Sequence, residues 1–210
     1  MEPKHVVLVI ADIGGYTKFI RQHKTALLHA EEIISQLLEA IIERADFPLV
    51  LNKLEGDAVL LYAETGSAQA LAARDVARQV TAFFSAFHAK SRELASDRAN
   101  CPCDACQHIR DLRLKAVLHH GVVAIKKIRQ FEELTGEDVI LAHRLLKNSV
   151  TEPEYILMSA SFHSLAGDLA GYSSYRGTET CEGLGSVDTV VFAPARSISV
   201  LAEQQRGRAS

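Results

Sequence analysis

Val6-Val7-Leu8-Val9-Ile10-Ala11-Asp12-Ile13-Gly14-Gly15-Tyr16-Thr17 is the stretch on which the reading of this chain turns. Its first five residues are apolar and mostly β-branched, the mark of a buried strand. The strand stops at an acidic residue, a Gly-Gly turn follows, and Thr17 leads toward a long helical pattern. A carboxylate on the rim of a sheet, beside backbone amides at a helix start, can hold a hard cation while the amides face phosphate. The plainer alternative is a turn aspartate that satisfies local backbone groups. What faces Asp12 decides between them.

Length and charge narrow the choices. With 210 residues, 48% of them hydrophobic, the chain can build one domain with a proper core. We read residues 1–200 as that domain and 201–210, rich in Gln and Arg, as a flexible tail. A net charge of -3 is too small to call for nucleic acid or a membrane surface as partner. No apolar run approaches the roughly 20 residues that span a bilayer. The amino-terminal apolar stretch is shorter than a signal-peptide core and lacks its cleavage pattern. The expected compartment is the cytoplasm, where the four cysteines act as thiols or metal ligands rather than disulfides.

Further along, residues 26–44 predict a helix, because Ile33-Ile34, Leu37-Leu38 and Ile41-Ile42 recur every four residues. Residues 49–54 and 58–62 predict strands joined through Glu55-Gly56-Asp57 as a tight hairpin, which places Asp57 at a turn. If this hairpin lies beside the first strand, Asp12 and Asp57 meet at one sheet edge. Two carboxylates so placed repel, and a divalent cation is a common remedy. A second helix is expected over 67–94, packing through Leu71, Val76, Val80, Phe83, Phe84 and Phe87. Residues 112–119 and 122–128 read as a further hairpin turning at Gly121, then a helix over 136–147 and short strands near 154–158, 173–179 and 187–192, with a short helix over 160–166 between. The order predicts an α+β sandwich with helices on one face of a mainly antiparallel sheet.

Several of these stretches, in this order, resemble the class III nucleotidyl cyclases. Residues 11–17 are similar to that family's first metal loop, and Lys53-Leu54-Glu55-Gly56-Asp57-Ala58 to its base-contacting lysine and second metal aspartate. Leu118-His119-His120-Gly121 resembles its next strand–turn–strand, and residues 134–145 the helix carrying transition-state residues. The resemblance implies a ferredoxin-like, cyclase-type sandwich that forms a homodimer and takes a nucleoside triphosphate. It implies Mg²⁺ or Mn²⁺ on Asp12 and Asp57, and a triphosphate facing the amides of Ile13, Gly14, Gly15, Tyr16 and Thr17. Lys53 and Glu133 would read the base, and Arg144 would stabilise the transferred phosphate from the partner subunit.

One position departs from the pattern. The family's catalytic asparagine, four residues before the arginine, is Ile140 here. Loss of one such preorganised polar contact typically costs about 10²- to 10³-fold in rate. The implied function is therefore a metal-dependent nucleotide-binding protein, as a slow or divergent cyclase. The alternative is an inactive cyclase-like sensor or dimeric scaffold. The chain also resembles uncharacterised bacterial proteins that carry a Cys-Pro-Cys-x-Ala-Cys loop on this core.

That loop lies in residues 94–110, read as a Cys-rich insertion. Cys101, Cys103 and Cys106 fall within six residues, with His108 two further on. Three thiolates at this spacing can converge on a zinc ion, with His108 or the distant Cys181 as fourth ligand. The alternative is three reduced surface thiols. His119 and His120 adjoin the expected turn, where packing or solvation accounts for them, and no Ser-His-Asp set is recognisable.

Overall fold

A computed structural model describes residues 2–16, 19 and 27–194. Thr17, Ala26 and the tail 201–210 lie outside the described residues. The chain runs β1 (Pro3–Gly14), α1 (Leu27–Ile42), β2 (Val50–Glu55), β3 (Ala58–Glu64), α2 (Gln69–Asp97) and α3 (Asp104–Gln107). After a 3₁₀ turn (Ile109–Asp111) come β4 (Arg113–Ile128), β5 (Phe131–Thr135), α4 (Glu137–Leu145), β6 (Tyr155–Ser159), α5 (Ala160–Ala166), β7 (Tyr172–Cys181) and β8 (Gly185–Pro194).

The strands form one sheet in the order β2-β3-β1-β4-β6-β8-β7, with β5 added to the far part of β4. Every pairing is antiparallel except β4 with β6. β1 lies in the middle, and its side chains alternate between two cores. Val7, Val9, Ala11 and Ile13 meet Ile33, Leu37 and Ile41 of α1 and Val76, Val80 and Phe83 of α2. Val6, Leu8 and Ile10 join Leu60, Tyr62, Val139 and Ala142 on the other face. All of Val6–Ala11 are fully buried, each large side chain contributing about 1.5–3 kcal/mol by leaving water.

Leu71, expected on the packing side of α2, is 71% exposed near the start of that helix, and two further expectations are corrected. Helices do not occupy one face alone: α4 packs Val139, Ala142 and Leu145 on the face opposite α1, α2 and α5. Nor do residues 112–128 turn at Gly121. β4 runs through it as one 16-residue strand, and Gly121 pairs with Val6 in the ladder. The glycine serves another purpose. A Cβ there would lie 2.1 Å from Asp138 Cγ, because Asp138 leans over the strand to accept from Val122 N at 2.6 Å. Its other oxygen meets His119 Nε2 at 2.8 Å.

Candidate functional site

The ladders bring a row of side chains together across the sheet. Asp12 on β1 is opposite Ala58 of β3 and Lys115 of β4; Ala58 is opposite Glu55 of β2, and Lys115 is beside Tyr155 of β6. Directly paired residues of neighbouring strands point to one face. The face is the one α4 covers, since Asp12 follows Leu8 and Ile10 in alternation. Asp57 sits in the β2–β3 turn, where Gly56 adopts a positive φ of 70°. Its carbonyl accepts from Ile13 N at 3.0 Å, which ties the turn to the end of β1.

The electrostatics of Asp12 follow from this placement. Burial pushes its carboxyl up to about 6, Asp57 pushes it the same way, and Lys115 opposes them. Asp57 is also raised, by burial, against its own backbone hydrogen bond. Lys115 Nζ lies 5.7 Å from the centre of the Tyr155 ring, while its charge also acts on Asp12. Two acids held together with too little positive charge form a donor set suited to a hard divalent cation.

The turn beyond Asp12 divides its amides. Ile13 N is engaged by Asp57, so the expected contribution of Ile13 to a phosphate cradle is corrected: its N–H is bonded to the carbonyl of the β2–β3 turn. Gly15 bends the chain at φ 96°, and its carbonyl accepts from Phe19 N at 2.9 Å, as at a helix start. A Cβ on Gly14 would meet Lys115 Cε at 3.0 Å, so the missing side chain makes room for the lysine. Tyr16 OH donates to Glu31 of α1 at 3.1 Å. Burial and Glu31 raise its phenol above the usual range.

Lys53 and Glu133 come together from separate elements, with Nζ 3.8 Å from Oε1. A β-bulge at Asn52 shifts the β2 register and aims Lys53 to the side where Asn52 Nδ2 also reaches β5, at Glu132 O, 3.0 Å. Lys53 touches Glu55 at 3.2 Å, and Glu55 receives His143 Nε2 of α4 at 3.0 Å. His143, given no catalytic role by the sequence, is thus part of a chain joining β5, β2 and α4. Arg144 reaches Glu182 at 3.1 Å, and Glu182 is 86% exposed, so the pair is weakly held. Ile140, 53% exposed, stands one turn before Arg144 on the same side of α4.

A serine, a histidine and an aspartate do meet, which the sequence did not disclose. His119 Nδ1 is 2.8 Å from Ser159 Oγ and Nε2 is 2.8 Å from Asp138. Ser159 is 1% exposed and caps α5 by accepting from Phe162 N, so this trio braces β4, α4 and α5 rather than meeting substrate. A surface cavity of about 600 Å³ beside α5 and the β7–β8 pair, lined by His163, Arg176 and Asp188 among others, shares no residue with the Asp12 row.

The thiols converge as a separate group. Cys101, Cys103 and Cys106 gather with His29, all four ligand atoms lying within 4.8 Å of one another. His108 is not in this group: its ring Nδ1 lies 2.8 Å from Asp104 O, the carbonyl four residues back. Cys181 is buried with Val117 and Tyr155 across the sheet from the other three thiols. His29 carries no local signal, being 72 residues before Cys101.

This architecture is that of the adenylyl and guanylyl cyclase domains. The adenylyl cyclase CyaB from P. aeruginosa aligns with a TM-score of 0.69 over 92% of this chain and 96% of its own, at 18% identity. The guanylate cyclase domain of RhGC from Catenaria anguillulae, solved in complex with GTP, aligns with a TM-score of 0.58 over 92% of this chain and 99% of its own, at 13% identity. Residues 34–155 match the family described as a protein of unknown function (DUF2652), and the chain belongs to that family. The uncharacterized protein Rv2561/Rv2562 of Mycobacterium tuberculosis is 33% identical over 156 residues, covering 74% of this chain and 71% of that protein. Among the described residues no helix is long and apolar enough to cross a membrane.

Proposed function

We propose that the chain is a metal-dependent nucleotide-binding protein of cyclase type, working as a homodimer with a nucleoside triphosphate as ligand. The observation that carries this reading is the approach of the Asp57 turn to the end of β1, where the Asp57 charge acts on Asp12 and each carboxyl is held above its ordinary range. Asp12 and Asp57 would hold Mg²⁺ or Mn²⁺, which when bound would supply charge for the attack of a ribose 3′-hydroxyl on the α-phosphate, the hydroxyl proton being lost and pyrophosphate leaving. The amides of Gly14, Gly15 and Tyr16, with that of Thr17 beyond the described residues, would face the phosphates. Lys53 and Glu133 lie close enough to read one base edge together. Arg144, half exposed and weakly held, would serve the partner's site.

Ile140 supports a second reading, a nucleotide sensor without efficient turnover. Its side chain offers no donor or acceptor where the related enzymes use an amide. One experiment addresses both. The protein is incubated at high concentration with each nucleoside triphosphate and Mn²⁺, while cyclic product and thermal stabilisation are followed. Slow cyclic product supports the enzyme, and stabilisation without product supports the sensor. No stabilisation by any triphosphate with metal defeats both. Asp57→Ala removes the response under either.

A further inference from the structure

Cys103 Sγ lies 3.4 Å from His29 Nδ1, Cys101 Sγ 3.6 Å and Cys106 Sγ 3.8 Å, and the Cys101 and Cys103 sulfurs are 3.5 Å apart. A tetrahedral zinc with Zn–S of about 2.3 Å and Zn–N of about 2.0–2.1 Å needs edges of about 3.8 Å between sulfurs and about 3.5 Å from sulfur to nitrogen. The cluster already has nearly those edges. All four cysteines are free thiols, so no bond between sulfurs explains the gathering.

The surroundings suit a thiolate-rich centre. Arg98 pairs with Glu32 of α1 at 2.8 Å, and its guanidinium acts on Cys106. Three thiolates and one neutral imidazole around a divalent ion leave one excess negative charge, and the Arg98 guanidinium stands beside it. The supporting backbone is fixed. Ala105 and Ile109 are fully buried, and Gln107 Nε2 holds Cys101 O at 2.8 Å.

We propose that His29, Cys101, Cys103 and Cys106 bind one zinc ion, which fastens the first turn of α1 to the connection between α2 and β4. The ligand set is closed, with four protein donors and no open position, so the role is structural. Its position gives it a purpose. α1 is the helix that the Asp12–Tyr16 turn leads toward, and Glu31, two residues after His29, receives Tyr16 OH. The centre holds that helix in place independently of whether a nucleotide is bound.

The test uses the full chain, purified under reducing conditions without a histidine tag. Elemental analysis gives one zinc per chain, and X-ray absorption at the zinc edge fits three sulfurs and one nitrogen. His29→Ala weakens zinc against a competing chelator by at least about tenfold, and His108→Ala and Cys181→Ser leave it unchanged. His29→Cys retains the metal and replaces the nitrogen scatterer with sulfur, which separates loss of a ligand from loss of the fold. Zinc well below one per chain in the unmodified protein overturns the proposal. So does zinc held as tightly by His29→Ala as by the unmodified protein, or released on substitution of His108. None of these outcomes depends on nucleotide binding.

Discussion

Asp12 combines a functional placement with a cost to the fold. Its carboxyl is raised from 3.8 to about 6, so folding favours the neutral form. Its favourable contribution is complete below about pH 4, fades as pH rises through about 6, and is absent above that. We therefore expect Asp12→Asn to raise the melting temperature of metal-free protein at neutral pH, and to raise it less near pH 4. The same substitution abolishes the metal-dependent response to nucleotide. Melting curves across pH, with and without Mn²⁺ and triphosphate, read both effects. In the unmodified protein that response weakens below about pH 6, as Asp12 takes up a proton. Gly121 is the second residue with a sharp expectation. Gly121→Ala drives a Cβ into Asp138, which loses its bonds to Val122 N and His119 unless it moves. The expected loss is about 1–3 kcal/mol, read as a lower urea midpoint.

At the scale of the element, the sequence disclosed strands and helices wherever periodicity alone decided them. β1, α1 and α2 fall almost where their apolar patterns put them. β4 did not, because a glycine between two apolar runs looks the same whether it turns the chain or makes room for a neighbour. Only Asp138, 17 residues onward, tells the two apart. β5 was missed for a related reason: Phe131–Thr135 is short and carries two glutamates, and its partner is the overhanging end of β4. Around the candidate site, motif order foretold only the placing of the Asp57 turn beside the end of β1 and of Lys53 near Glu133. His29 was not, since no local pattern marks a lone histidine as the companion of thiols 72 or more residues away. α4 carries the prediction proper to this scale. Ile140→Asn restores an amide one turn before Arg144 on an exposed face, where it costs the fold little. If turnover is limited by that missing contact, cyclic product forms up to about 10²-fold faster, in an initial-rate assay.

The whole molecule presents Ile140 and part of Arg144 to solvent on α4, while Asp12 lies near the end of β1, Asp57 in the β2–β3 turn and Lys53 on β2. A shared site in a homodimer follows from the proposed function, with the two sets supplied by different copies. Asp57→Ala and Arg144→Ala, each inactive alone, should then recover activity when mixed, because about half of all pairs formed are mixed and every mixed pair carries one intact site of its two. About a quarter of the unmodified rate is expected. No recovery, with pairing verified by sedimentation, places both sets in one copy.

β1 is paired on both sides, through seven positions with β3 and twelve with β4. Such a strand behaves as a gauge block clamped between two jaws. One residue inserted between Val6 and Asp12 rotates the acid to the opposite side of the sheet, among the hydrocarbon of α1 and α2. The turn at Gly66, where an added Cβ meets nothing within 4 Å, has no such constraint. Length should therefore drift freely among relatives at that outer bend and stay invariant along the clamped strand.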